Sequence, residues 1–169
     1  MRLSRDSYEM DAVSFAKKLL GMTLCRRLDD GSVIRQMITE TEAYYGEGDT
    51  ACHAHKGKTN RTKIMYERGG YAYIYLCYGV HNLLNIVTGK KDFPEAVLIR
   101  GTHEYNGPGK LTKAMLIDRS LNGEDLVESD ILWVETSEQE YDYDAYPRVG
   151  IDYADQVDRD RLWRFVLRK

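Results

Sequence analysis

Apolar residues recur at helical spacing at Val13, Ala16, Leu19 and Leu20, which predicts a first helix capped at Ser7 and ended by Gly21. The period then shortens to two. Met22 to Arg27 reads as a strand, Asp29-Asp30-Gly31-Ser32 as a hairpin turn, and Val33 to Tyr44 as a long second strand. A loop spans Tyr45 to Asn60, and Arg61 to Arg68 reads as a short helix closed by Gly69-Gly70. Tyr71 to Tyr78 and Leu83 to Thr88 form two strand-like runs around Gly79, followed by a strand at Ala96 to Arg100. Lys110 to Ile117 reads as a helix, and Ile131 to Glu135 and Trp163 to Leu167 as late strands. Strands joined by short turns, with few helices, predict an α+β fold: one mixed domain over residues 1–169 with a curved, largely antiparallel sheet and peripheral helices.

One strand breaks its own pattern. Strict alternation puts Ile34, Gln36, Ile38, Glu40, Glu42 and Tyr44 on one face, so that an apolar face turns acidic at its end. A carboxylate carried inward costs free energy unless it has partners or a task.

Composition narrows the field. A chain of 169 residues buries enough surface to fold without a staple. Its three cysteines, Cys25, Cys52 and Cys77, form no CxxC and suggest reduced thiols. No segment approaches membrane-spanning length, so a soluble, intracellular protein is expected, cytoplasmic and nucleoid-associated if bacterial. The formal charge of −3 disfavours a simple phosphate binder, yet five basic residues (Lys56, Lys58, Arg61, Lys63 and Arg68) face only Glu67 in one loop. Acid gathers instead at Glu135 to Asp144 and at Asp152, Asp155, Asp158 and Asp160, which reads as a solvated face.

Thirteen tyrosines against three phenylalanines favour flat rings with polar tips. In the run Tyr73-Ile74-Tyr75-Leu76-Cys77-Tyr78-Gly79, alternation turns Tyr73 and Tyr75 one way and Tyr78 the other, beside a turn. A tyrosine on a protruding hairpin is a poor core residue but a suitable wedge between stacked bases.

Glu40-Thr41-Glu42-Ala43-Tyr44, with Gly46, Asp49, Ala51 and His53-Ala54, closely resembles the signature of the alkyladenine (3-methyladenine) DNA glycosylases. The likeness continues through Thr59, Arg61, Met65, Gly70, Tyr73-Ile74-Tyr75, Tyr78-Gly79 and Asn85-Ile86-Val87. Ala96 to Arg100, Gly107-Pro108-Gly109-Lys110-Leu111 and Arg148-Val149-Gly150-Ile151 extend it over most of the chain. Tyr66, Val80 and Leu162 depart from it.

The resemblance implies a base-excision-repair enzyme that flips alkylated or deaminated purines out of duplex DNA. It would hydrolyse the N-glycosidic bond, leaving an abasic site, with no lyase step, no cofactor and no metal. Glu42 would be the general base that activates water, and Arg100 would orient that water. Tyr44, His53 and Tyr75 would form the base slot, Asn85 would reject guanine, and Tyr78 would fill the gap in the duplex. Arg61 and Lys110 would contact backbone phosphates. The expected partner is double-stranded DNA carrying damaged purines, bound by a monomer.

Other readings stay open on the residues alone. A non-catalytic protein that senses damaged DNA would use the same tyrosines, and a nucleoside hydrolase would need the same carboxylate. Cys52, His53, His55, Cys77 and His81 are zinc-type ligands without CxxC or HExxH spacing, and Gly107-Pro108-Gly109-Lys110 lacks the P-loop pattern.

Overall fold

The computed structural model describes residues 1–169, and its longest strand borders three others. One edge of β2 (Val33–Tyr45) carries β5 (Glu95–Thr102). The other edge carries β1 (Thr23–Arg27) along its first half and β8 (Arg164–Leu167) along its second. The β1–β2 hairpin is fixed at its turn, where Asp30 accepts from the Ser32 N–H at 2.9 Å and Gly31 adopts a φ of +87°. The main path runs β3-β4-β5-β2-β1-β6, with β3 (Ala72–Cys77), β4 (His81–Val87) and β6 (Leu132–Glu135). A branch through β8 ends in β7 (Tyr143–Tyr146). Every pairing is antiparallel, and because β1 and β8 leave β2 from the same edge, the sheet curls.

The β2–β5 register slips between Ile38 and Thr41: Ile38 pairs with Thr102, Glu40 with Gly101 and Thr41 with Ile99. A bulge reverses the alternation beyond it. Ile38 therefore shares the main core with Ala43, and the Thr41 hydroxyl donates to the Ala16 carbonyl at 2.8 Å on the same side. Glu42 and Tyr44 turn the other way, into a cavity. The uniform face expected from Ile34 to Tyr44 is thus broken between Ile38 and Thr41, where first β2 and then β5 carries one extra residue and the wet side changes.

The helices serve the core side. α2 (Ala12–Leu19) buries Ala12, Phe15, Ala16 and Leu19 against the sheet, a helical stripe of the kind the spacing predicted. Its cap is Asp11, whose carboxylate accepts from the Ser14 N–H at 2.9 Å. Ser7 instead lies inside a separate short helix, α1 (Arg5–Tyr8). The helix expected at Arg61–Arg68 is only a 3₁₀ turn, Lys63–Tyr66, and the one expected at Lys110–Ile117 is α3 (Pro108–Ala114), cut short before the left-handed Leu116. β7 and α4 (Gln156–Asp160) have no counterpart in the sequence pattern, nor do the 3₁₀ turns His53–Lys56 and Arg119–Leu121. β7 breaks the acidic stretch expected to be a solvated loop, pairing its Asp144 with Arg168. Asp158 is buried, accepting from the Thr50 N–H at 3.0 Å.

A further buried carboxylate lies outside the cavity. Glu95 opens β5 and accepts from the Ala12 N–H at 2.8 Å, and burial pushes its carboxyl up to about 7 against the opposing pull of that N–H. The folded state therefore holds the Glu95 proton more tightly than the unfolded chain does. The resulting stability is fully present below the ordinary glutamate range and is lost as pH rises through about 7. Glu95→Gln is expected to raise the melting temperature by a few degrees at pH 8 and to give no gain at pH 4, a difference that thermal scans at the two pH values measure.

Candidate active site

The antiparallel registers line up one rung across four strands. Glu42 of β2 stands opposite Leu98 of β5, Leu98 opposite Asn85 of β4, and Asn85 opposite Tyr73 of β3. Residues on one rung project to one face about 5 Å apart. All four line a cavity of about 780 Å³ together with Tyr44, His53, Tyr75 and Arg100.

Glu42 is fully buried, and each of its oxygens has a partner. The Tyr44 hydroxyl donates to Oε1 at 2.9 Å, the Val149 N–H donates to Oε2 at 2.6 Å, and the Arg100 guanidinium lies 3.9 Å from Oε1. Burial raises its carboxyl above the ordinary range, opposed by Arg100, Val149 and Tyr44. A carboxyl raised in this way is, once ionised, a stronger base than a solvated glutamate. Arg100 is steadied from the other side by Glu40, 3.3 Å from its Nε, and Glu40 is shared with Arg164 at 3.1 Å.

A pair that spacing alone does not reveal holds this corner. Arg148 is fully buried and grips Asp49 through two hydrogen bonds, 2.6 and 2.9 Å, while donating to the carbonyls of Ala43 (3.0 Å) and Asp158 (3.1 Å). Its guanidinium sits 4.9 Å from the Tyr44 ring centroid and 5.0 Å from that of Trp163. Because Val149 follows Arg148, the same anchor delivers the N–H that Glu42 accepts.

The opposite wall is aromatic. His53 opens the 3₁₀ turn His53–Lys56, bonds Tyr73 Oη through Nδ1 at 2.8 Å, and stands edge-on to Tyr75 with centroids 4.5 Å apart. Burial, with Arg61 adding to it, holds the imidazole down to about 4, so it is uncharged at neutral pH. Asn85 donates to the Tyr73 carbonyl at 3.3 Å, which fixes its amide beside the slot. Tyr78 occupies the β3–β4 turn, 90% exposed and with a φ of +52°. A bulky residue in the left-handed region costs about 1 kcal/mol or more, a strain that functional positions tend to retain. Arg61 lies over the Tyr75 ring at 5.2 Å, and Lys110 is exposed at the rim on α3. The zinc-type ligands do not converge: no three His, Cys, Asp or Glu side chains gather as a metal set.

Glu42, Tyr44, His53, Tyr75, Asn85 and Arg100, scattered over nearly sixty residues of chain, meet in one cavity whose mouth carries Tyr78. The model of the methylpurine-DNA glycosylases matches this chain over residues 6–104 and 101–169. The chain belongs to that family. Its relatives include proteins of Natranaerobius thermophilus (43% identical; 99% of this chain and 96% of the relative), Methanocella arvoryzae (44%; 96% and 90%) and Borreliella burgdorferi (39%; 98% and 96%). Each carries the provisional name 3-methyladenine DNA glycosylase.

Within this family framework the structure adds residues whose role was not legible in the chain. Asp49, Arg148 and Val149 belonged to the matching pattern, but nothing local marks them as a clamp on Glu42. Tyr153 also lines the cavity, its hydroxyl donating to the Ala51 carbonyl at 2.6 Å. Removing one partner of a buried ion pair costs about 3–5 kcal/mol. Asp49→Asn is therefore expected to lower the melting temperature by about 6–20 °C. Arg148→Lys should fare little better, because an ammonium cannot reproduce the forked contact. Differential scanning calorimetry of the two variants checks this.

Proposed function

We propose that this protein is a monofunctional DNA glycosylase that removes damaged purines by hydrolysis. The observation that carries the reading is a buried carboxylate, Glu42, on the same sheet rung as Asn85 and Tyr73, with Arg100 beside it and an aromatic slot in front. Family membership supports it.

In the reaction a duplex purine is extruded and lies in the slot between Tyr44 and the His53–Tyr75 wall, while Tyr78 fills the space left in the stack. Glu42 takes a proton from water as its oxygen bonds to C1′. The C1′–N9 bond breaks with its electron pair going to the base, and the negative charge of the site stabilises the oxocarbenium-like sugar. Free base and an abasic site result. A cationic alkylated purine leaves as a neutral base, and a neutral one such as hypoxanthine leaves as its anion, which takes a proton from solvent water. Arg100 orients the water, and Asn85 crowds the exocyclic amine of guanine. Substrates are purines of the 3-methyladenine, 7-methylguanine, hypoxanthine and ethenoadenine class. Lys110 contacts a phosphate at the rim, and the protein acts as a monomer in the cytoplasm. No helix is long and apolar enough to cross a membrane.

The alternative is a damaged-DNA binder without chemistry. It is tested with a duplex carrying a single hypoxanthine: the glycosylase releases free hypoxanthine and leaves a site cleaved only by alkali, whereas a binder releases nothing. Borohydride should trap no protein–DNA adduct, and a trapped Schiff base would replace the water mechanism with a lyase. Because Glu42 must be ionised and burial raises its pKa, base release should fall on acidification with a midpoint above the ordinary glutamate value of about 4.3. Single-turnover rates across pH measure that limb.

A further inference from the structure

The hairpin that carries Tyr78 is held by more than its own two strands. Its tip stands free: Tyr78 and Val80 are exposed, the turn closes through the Val80 N–H to the Cys77 carbonyl at 3.1 Å, and a side chain built at Gly79 would meet no atom within 4 Å. A two-stranded ribbon is only marginally ordered by itself. In an antiparallel ladder, successive residues turn their N–H and C=O groups to opposite edges. Val87 bonds toward β3, through the Tyr71 carbonyl, so Asn82, an odd number of residues away, turns its carbonyl toward the edge where β5 lies. β5 pairs with β4 only at Asn85, Ile86 and Val87, and the outer half of β4 therefore has no third strand.

α3 takes that strand's place. The Thr112 hydroxyl, which is buried, lies 2.6 Å from the Asn82 carbonyl, closer than to the carbonyls of Gly109 (3.1 Å) and Pro108 (3.3 Å) in its own helix. Two oxygens that close repel unless a proton lies between them, so the single hydroxyl proton goes to Asn82. One turn earlier the His81 ring lies on Gly109, where an added Cβ would stand 2.8 Å from Nδ1 and 3.1 Å from the His81 Cβ. Only glycine lets the helix come this near the strand. α3 is rooted in the core by Leu111 and Met115, so the contacts run unbroken from the core to the hairpin.

We propose that Thr112 and Gly109 are positioning residues that fix the direction of the β3–β4 hairpin, so that Tyr78 meets the duplex already ordered. Ordering a mobile segment on binding opposes association, and a braced one avoids that loss. The two residues act through Tyr78 on base extrusion and leave bond cleavage alone. The inference rests on the wedge role proposed for Tyr78.

Backbone ¹⁵N relaxation of the free protein reads the brace without any chemistry. Wild type should give order parameters of about 0.85 at Tyr78, Gly79 and Val80, and Thr112→Val, which keeps the shape and removes the donor, should lower them below about 0.6. Gly109→Ala, which drives His81 off the helix, should do the same, and Thr112→Ser should keep the wild-type values. A mobile tip in wild type, or a tip as rigid in Thr112→Val and Gly109→Ala as in wild type, overturns the proposal. Single-turnover base release then locates the effect. On a duplex with hypoxanthine opposite thymine, Thr112→Val should be slower by about tenfold. With hypoxanthine opposite an abasic gap, where extrusion costs little, it should stay within about twofold of wild type. In a Tyr78→Ala background Thr112→Val should cause no further loss on the paired duplex, because the brace then has no wedge to position. Equal losses on the two duplexes, or losses that add in the double variant, are those of a merely structural residue and overturn the proposal. A rigid wild-type tip without base release from either duplex would sink the glycosylase reading and leave the brace; base release with a mobile wild-type tip would do the opposite.

Discussion

The buried pair of Asp49 and Arg148 is the constraint on which the site depends. Two charges removed from water are tolerated because the two terminal nitrogens of the guanidinium meet both carboxylate oxygens and two carbonyls, leaving only the buried Nε–H without a partner. That single anchor ties the loop after β2 to the chain before α4, presses a cation against the Tyr44 ring, and presents the Val149 N–H to Glu42. Without it, the carboxylate would lose one of the contacts that offset its burial.

Sheet architecture supplies the rest. The bulge between Ile38 and Thr41 reverses the side-chain alternation of β2 just before its end, so that the strand serves the hydrophobic core with Ile38 and Ala43 and the cavity with Glu42 and Tyr44. The rung from Glu42 to Tyr73 then places a carboxylate, an amide and an aromatic ring on a framework of backbone hydrogen bonds, which holds a reactive geometry more rigidly than loops do. Tyr78 on its strained turn, the exposed Arg61 and Lys110, and His53 on its 3₁₀ turn lie outside it.

Much of this was legible in the chain. The strands from Thr23 to Val87 lie close to where the runs of strand-forming residues placed them, although the alternation of β2 breaks at its bulge, and the stripe from Val13 to Leu20 gave α2 apart from its cap. The cap was misplaced because Ser7 and Asp11 both suit that role, and only the carboxylate of Asp11 meets a free helix N–H, that of Ser14. β7 escaped notice because Tyr143-Asp144-Ala145-Tyr146 carries little strand signal and exists through its pairing with β8. In the site, resemblance named Glu42, Tyr44, His53, Tyr75, Asn85 and Arg100, but which of them share a rung depends on register, a tertiary quantity. The bulge was invisible for the same reason: β2 carries no glycine or proline there, and Gly101 of β5 marks it only once the register sets it opposite Glu40. Asp49 and Arg148 are ninety-nine residues apart in sequence and announce nothing to each other until folded.

The central claim is that Glu42 turns a damaged-base pocket into a hydrolase. The most direct measurement pairs two quantities for wild type and Glu42→Gln on one hypoxanthine duplex: single-turnover base release and equilibrium binding. The account predicts that the variant loses release by at least about 10²-fold while its binding stays within a fewfold of wild type and its melting temperature does not fall. Release at the wild-type rate by the Glu42→Gln variant would contradict it.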